Sequence, residues 1–166
     1  MINKVFIDTG GWLAYMNKKD EHYRSAKEYF IKLKKNNVPL ITSNYVISET
    51  LTWLNLNNYH DTAVKAMNLW KEAEHINLLS IYWVDRNITE EAWEIFQKFS
   101  DQKLSFTDCT SFSICRKAKI KKVFGFDKHF NVLGFLLSPY QVHENKVEYD
   151  ILQPGMTKSG CRRSIQ

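Results

Sequence analysis

Short apolar runs alternate with longer amphipathic stretches along the whole chain. Runs rich in β-branched and aromatic residues at positions 5–7, 40–42, 78–84 and 122–126 are typical of buried strands, and 135–137 is a weaker candidate for a last strand. Each run is short and is bounded by polar residues, glycine or proline. These five segments predict the strands of one sheet.

Between the runs, apolar residues recur every three or four positions, which predicts helices that bury one face. The predicted helices cover residues 10–17 and 22–36, begin at Ser43 or Asn44, at Asp61 and near Thr89, and begin once more at Thr107 or Asp108. Strands that alternate with helices favour an α/β fold in which a mostly parallel sheet is covered by helices. The five tryptophans fall mostly on apolar faces, so we expect core or interface positions rather than base-stacking platforms.

Length and composition add only broad limits. The 166 residues suggest a single domain over residues 1–152, followed by a basic tail over 153–166 that we expect to be disordered. Lys and Arg exceed Asp and Glu by 23 to 18, which fits a polyanionic partner or simply solubility. An odd number of cysteines, three, and no signal-like or membrane-spanning run predict a cytoplasmic protein without membrane attachment.

Four acidic residues are predicted at one edge of the sheet. Asp8 ends the first strand, Glu49 lies early in the helix after the second strand, Asp108 begins a helix, and Asp127 ends the strand 122–126. The carboxyl ends of parallel strands share one edge, where ligands bind in α/β folds. Crowded carboxylates repel unless a cation neutralises them, and hard oxygen ligands suit Mg²⁺ or Mn²⁺.

Each acid taken alone also has a simpler interpretation. Asp108 could cap its helix, Asp127 could form a turn, and Glu49 could be an exposed helix residue. The triplet Asp8-Thr9-Gly10 matches that of aspartic proteases, but a helix-rich chain with only six glycines does not fit an all-β protease with a glycine-rich flap. The joint pattern therefore carries the argument.

Four segments in this order resemble the PIN-domain ribonucleases, especially the VapC-type toxins of prokaryotic toxin–antitoxin modules: VFIDTGGWLAYMNKKDEHY, ITSNYVISETLTWL, LSFTDCTSFSICR and VFGFDKHF. The resemblance implies a PIN-like α/β/α sandwich with a central, mostly parallel sheet. The four acids match the acidic quartet of the family, and Thr9 and Ser105 match two supporting hydroxyl positions. Gly125 departs from the family, because many members have a hydroxyl residue there.

The resemblance also implies a function. It implies an Mg²⁺- or Mn²⁺-dependent endoribonuclease that hydrolyses phosphodiester bonds of single-stranded or looped RNA, including tRNA as a candidate target, and that is restrained by a VapB-type antitoxin and forms a homodimer. The alternatives are a PIN scaffold that binds RNA or protein without cleavage and a metal-dependent phosphatase, whose DxD motif is missing. RNA phosphates could contact basic residues near the acids, or these residues could form a solvated face: Lys103, Arg116, Lys119 and Lys128.

Overall fold

The computed structural model describes residues 4–139, so the end of the predicted domain, residues 140–152, and the tail over 153–166 lie outside the described residues. The strands are β1 (Val5–Ile7), β2 (Leu40–Ser43), β3 (Leu79–Tyr82), β4 (Lys122–Phe124) and β5 (Leu136–Ser138). The helices are α1 (Thr9–Met16), α2 (Tyr23–Lys35), α3 (Asn44–Leu56), α4 (His60–His75), α5 (Arg86–Lys98), α6 (Phe106–Lys117) and α7 (His129–Val132). Within residues 4–139, no helix is long and apolar enough to cross a membrane.

The five strands form one sheet in the order β3-β2-β1-β4-β5, and every pair is parallel. Val5 lies opposite Leu40 on one side and Lys122 on the other, so β1 is the central strand. All five carboxyl ends therefore meet at the same edge of the sheet. The prediction of a parallel sheet covered by helices is confirmed.

The central strand is buried on both faces. Val5, Phe6 and Ile7 are at most 1% exposed, as expected for a parallel strand between two helical layers. The turn after it depends on Gly11, because an added Cβ atom would lie 2.4 Å from the carbonyl oxygen of Phe124. Only glycine lets the first turn of α1 approach the backbone of β4 so closely.

A tryptophan links the core to the central strands. Trp12 packs edge-on against Trp70 with ring centroids 5.3 Å apart, and both side chains are fully buried. Its indole Nε1 donates to Thr42 Oγ1 at 3.1 Å, and that hydroxyl donates to the carbonyl oxygen of Ile7 at 2.9 Å. The indole nitrogen of Trp12 and the hydroxyl of Thr42 are therefore satisfied, whereas Nε1 of the buried Trp70 has no hydrogen-bond partner.

The remaining tryptophans are exposed rather than in the core, and the predicted interface role for them stays a prediction. Trp53, Trp83 and Trp93 are 37%, 70% and 52% exposed. On α5, burial is confined to a stripe of Ile88, Ala92 and Ile95, so Trp93 lies outside it. Helical periodicity shows which residues share a face, but the width of the covered stripe depends on the neighbouring elements.

Helix starts differ from the prediction where a side chain caps the helix earlier. The side chain of Asp85 accepts a hydrogen bond from the backbone N–H of Ile88 at 2.9 Å, so α5 begins at Arg86 rather than near Thr89. Ser105 has the same role for α6, which begins one residue before the predicted start. The short helix α7 was not predicted.

Candidate active site

Asp8 lies directly after β1 and is only 4% exposed. Its backbone N–H donates to the carbonyl oxygen of Phe124 at 3.0 Å, and its own carbonyl oxygen accepts from the N–H of Trp12 at 3.0 Å. These bonds fix the residue between β4 and the first turn of α1. The carboxylate oxygen Oδ1 is buried and has no hydrogen-bond partner, which is costly for a polar atom.

Glu49 is linked by a hydrogen bond to Thr9, the residue that follows Asp8. The hydroxyl of Thr9, the first residue of α1, donates a hydrogen bond to Oε2 of Glu49 in the second turn of α3. Ser43 caps α3, because its side chain accepts from the N–H of Val46 at 3.1 Å. The start of α3 is thus fixed beside the start of α1, and the half-buried Glu49 is oriented rather than free in solvent.

Asp108 is both a capping residue and a member of the acidic cluster. The backbone N–H of Ser105 donates to Oδ2 of Asp108 at 2.8 Å, and the N–H of Asp108 donates to the hydroxyl of Ser105 at 3.1 Å. This reciprocal pair is a capping box at the start of α6. The capping interpretation is therefore correct, and it holds the half-buried carboxylate in one orientation at the sheet edge.

Asp127 forms a turn, as its simpler interpretation predicts. Its Oδ1 accepts from the backbone N–H of His129 at 3.0 Å and lies 2.8 Å from Nδ1 of the same histidine. The ring nitrogen is buried and is not aligned for a hydrogen bond with any group, so this contact is electrostatic and strongest when the imidazole is protonated. The turn keeps the carboxylate, which is one-third exposed, close to β4.

Electrostatic interactions link the other three acids to Asp8. Burial is the main cause that raises the pKa of Asp8 to about 8, and the charge of Asp108 is the next. Glu49 and Asp127 raise the pKa of Asp8 further, while the backbone N–H of Thr9 lowers it. Near neutral pH, Asp8 must therefore bind a proton or a cation.

The pKa of Asp108 is also raised. Burial raises the pKa of its carboxyl group above the ordinary value, and the charge of Asp127 acts in the same direction. The two hydrogen bonds with Ser105 and the nearby His129 lower this pKa, because they favour the ionised form. The capping box thus opposes the effect of burial on the pKa of Asp108.

Gly125, the departure from the family pattern, lies against Asp8. A Cβ atom at this position would lie 3.2 Å from Cβ of Asp8 and 3.6 Å from its Oδ2. A side chain at residue 125 would therefore contact Asp8 directly, and the two residues would have to shift apart by a few tenths of an ångström.

The donor set fits a divalent cation, although the ligands are not preassembled. Among residues 4–139, no three His, Cys, Asp or Glu side chains are already arranged to hold a metal ion together. Mg²⁺ commonly uses one or two carboxylates and keeps several waters, so a complete protein cage is not required. The unpaired Oδ1 of Asp8 and the repulsion among four acids are the features that a cation would relieve.

The predicted RNA-binding residues separate into two groups. Lys103 and Lys128 are exposed and adjoin the turns that carry Asp108 and Asp127. Arg116 and Lys119 lie at or beyond the far end of α6, and Arg116 is about 12 Å along the helix from Asp108 at 1.5 Å per residue. A helix that begins at the carboxyl edge of the sheet ends at the opposite edge, so this pair is not beside the acids.

A parallel sheet with an acidic cluster at its carboxyl edge defines a class of metal-assisted α/β enzymes, and comparison with known proteins gives the family. Residues 5–136 match the PIN domain family model, so the chain belongs to the PIN-domain family. It is 32% identical over 133 residues to the 23S rRNA-specific endonuclease VapC20 of Mycobacterium tuberculosis, in both strain CDC 1551 / Oshkosh and strain ATCC 25618 / H37Rv. The match covers 80% of this chain and 95% of the relative.

Solved structures agree with the sequence match. The crystal structure of M. tuberculosis VapC20, described as a sarcin-ricin loop cleaving toxin, superposes with a TM-score of 0.68 over 80% of this chain and 97% of that one, at 32% identity. The DNA-bound VapBC structure from Salmonella typhimurium has a TM-score of 0.57 over 81% of this chain and 96% of that one, and at 12% identity it supports the fold alone. The predictions of a VapC-type PIN-domain ribonuclease and of a PIN-like α/β sandwich are confirmed.

Proposed function

We propose that this chain is the toxin of a VapBC-type module and cleaves RNA with Asp8, Glu49, Asp108 and Asp127 as its active-site acids. One observation carries the assignment of the site. Asp8 is buried with an unpaired carboxylate oxygen, and three further acids raise its pKa from the same sheet edge. A catalytically silent binding scaffold would have no need to maintain this repulsion.

The metal would be held by carboxylate oxygens of Asp8, Asp108 and Asp127. When bound, Mg²⁺ or Mn²⁺ lowers the pKa of a water and stabilises negative charge at the scissile phosphate. Hard oxygen donors favour these ions over zinc. Both metals are therefore included in the cleavage assay.

The protein groups would position the acids and the attacking water. Thr9 binds one oxygen of Glu49, so the second oxygen can orient a water or accept its proton. The Ser105 capping box fixes Asp108, and the turn at Asp127 fixes the fourth acid. These local bonds limit the reorganisation needed when substrate binds.

The relatives direct the choice of substrate and partners. The relative VapC20 is named as an endonuclease specific for 23S rRNA, so a ribosomal RNA loop is the first substrate to test and tRNA is the second. We further propose a VapB-type antitoxin and a homodimer as partners. Exposed aliphatic side chains on α3 and α4, at Leu56, Val64 and Leu69, give such protein partners an apolar surface.

The decisive experiment compares purified wild-type protein with Asp8→Asn and Asp108→Asn on ribosomal RNA and tRNA, with Mg²⁺ or Mn²⁺ and with EDTA. We expect either substitution to reduce cleavage by about a hundredfold or more, with unchanged circular dichroism, and EDTA to stop the wild-type reaction. Asp85→Asn is the matched control, because Asp85 also caps a helix but lies outside the acidic cluster. Wild-type cleavage by purified Asp8→Asn protein would disprove the assignment.

A further inference from the structure

A row of four aromatic rings runs from the exposed surface of α5 to the acidic cluster. Trp93 and Phe96 are stacked with ring centroids 5.8 Å apart, and Phe96 meets Phe106 edge-on at 6.1 Å. Phe106 in turn lies 6.4 Å from Tyr45. Trp93 is 52% exposed and Phe96 is 39% exposed, so the outer half of this aromatic row faces solvent.

The inner half of the aromatic row adjoins the candidate active site. Phe106 is the first residue of α6 and lies in the same helical turn as Asp108, although residues two apart do not share a face of a helix. Tyr45 lies in the first turn of α3, four residues before Glu49, and residues four apart share one face of a helix. The row thus reaches the face of α3 that carries Glu49.

A cavity with one lysine in its lining lies beside the row. This cavity of about 160 Å³ is lined by Phe96, Phe99, Ser100, Lys103 and Leu104. It is apolar apart from one hydroxyl and the exposed amine of Lys103, a combination that suits a nucleobase with its phosphate. Glu90 precedes Trp93 by three residues on α5. Its negative charge is paired with Arg86 at 3.0 Å.

We propose that the aromatic row is a stacking track for the single-stranded RNA next to the scissile phosphate. The inference rests on the proposed endoribonuclease function and adds a substrate-binding surface to it. Aromatic faces accept any base, and stacking combined with nearby positive charge is the usual way to hold single strands. The members of the row are all aromatic, whereas Leu56, Val64 and Leu69, the aliphatic residues proposed above for a protein partner, lie on α3 and α4.

The test measures binding of a short, labelled single-stranded RNA of mixed sequence to the inactive Asp8→Asn protein by fluorescence anisotropy. Trp93→Leu keeps an apolar side chain but removes the aromatic face, and we expect about tenfold weaker binding. Trp93→Phe should retain most of the affinity. Trp53→Leu is the matched control, because Trp53 is 37% exposed and stacks on Tyr59 at 6.2 Å, near the opposite end of α3.

Abasic nucleotides in the same RNA test for stacking itself. If a base stacks on Trp93, one abasic position should weaken binding about as much as Trp93→Leu, and the two changes together should weaken it little further. Thermal denaturation of each variant checks that the fold is intact. Additive losses at every abasic position would show that Trp93 does not contact a base.

Other outcomes identify a different occupant or a different failure. If Trp93→Leu binds RNA as Trp53→Leu does but no longer binds a co-expressed antitoxin or a second copy, the row is a protein interface and the proposal is wrong. Failure of the proposed function would appear separately, as RNA cleavage by Asp8→Asn protein. The binding measurements would still decide the role of the row in that case.

Discussion

The buried Asp8 carboxyl group should make the metal-free protein less stable as pH rises. Its pKa is about 8 in the folded protein, chiefly because of burial, and near the ordinary value of 3.8 in the unfolded chain. Between these values the folded state binds more protons than the unfolded state, so the free energy of unfolding decreases with increasing pH. The effect is absent below the unfolded pKa and is fully developed above the folded pKa.

The magnitude follows from the linkage relation. Each pH unit between the two pKa values removes up to about 1.4 kcal/mol, which gives an upper limit of about 4 kcal/mol by neutral pH. We expect about 2–4 kcal/mol, because water penetration and relaxation reduce the cost of a buried charge. Since small domains are stable by about 5–15 kcal/mol in total, this loss is readily measured.

The assay is urea unfolding in EDTA at several pH values between about 5 and 8, for wild-type and Asp8→Asn protein. The variant lacks the titrating group, so it should be more stable than wild type near neutral pH and show a shallower pH dependence, with Asp108 contributing the remainder. Adding Mn²⁺ should restore wild-type stability and have little effect on the variant. Equal slopes for the two proteins in EDTA would refute the reasoning, because Asp8 would then not titrate in this range.

Three further substitutions test the supports of the site. Thr9→Val should lower the cleavage rate about tenfold by releasing Glu49, while Thr9→Ser keeps the hydroxyl and should restore most of it; equal rates for both would exclude this role. Gly125→Ala places a Cβ atom 3.2 Å from Cβ of Asp8, so calorimetry should show weaker Mn²⁺ binding, and unchanged affinity would contradict the crowding. Ser105→Ala removes the α6 cap and should lower the free energy of unfolding by about 1 kcal/mol, measured by urea denaturation in EDTA, whereas an unchanged value would argue against the cap.

The sequence alone determined the sheet and the location of the acids. Short apolar runs are a local signal, and a carboxylate that directly follows such a run must lie at the carboxyl end of its strand. Asp8 could therefore be placed at this edge without any tertiary information, and the order of elements indicated the parallel topology. Asp127 was assigned to the same edge as the end of a strand over 122–126, but β4 ends at Phe124, so two further residues lead to Asp127. The family resemblance, which rests on four short segments, predicts the same set of acids.

The tertiary structure alone decided how these groups interact. The contact between Thr9 and Glu49 joins residues 40 positions apart, and the pKa of Asp8 depends on three acids from other elements. The length and direction of α6 moved Arg116 away from the acids, although the lysine-rich sequence suggested a neighbouring role. Such distances depend on how helices pack, which the local pattern does not specify.

The tryptophans show the same division. Periodicity identified apolar faces, but whether a ring is covered depends on which elements pack over it. Trp12 and Trp70 contact each other in the core, while Trp93 remains exposed beside Phe96. The sequence pattern indicated which residues share a face, and only the packing of the neighbouring elements decided which of those faces stayed exposed.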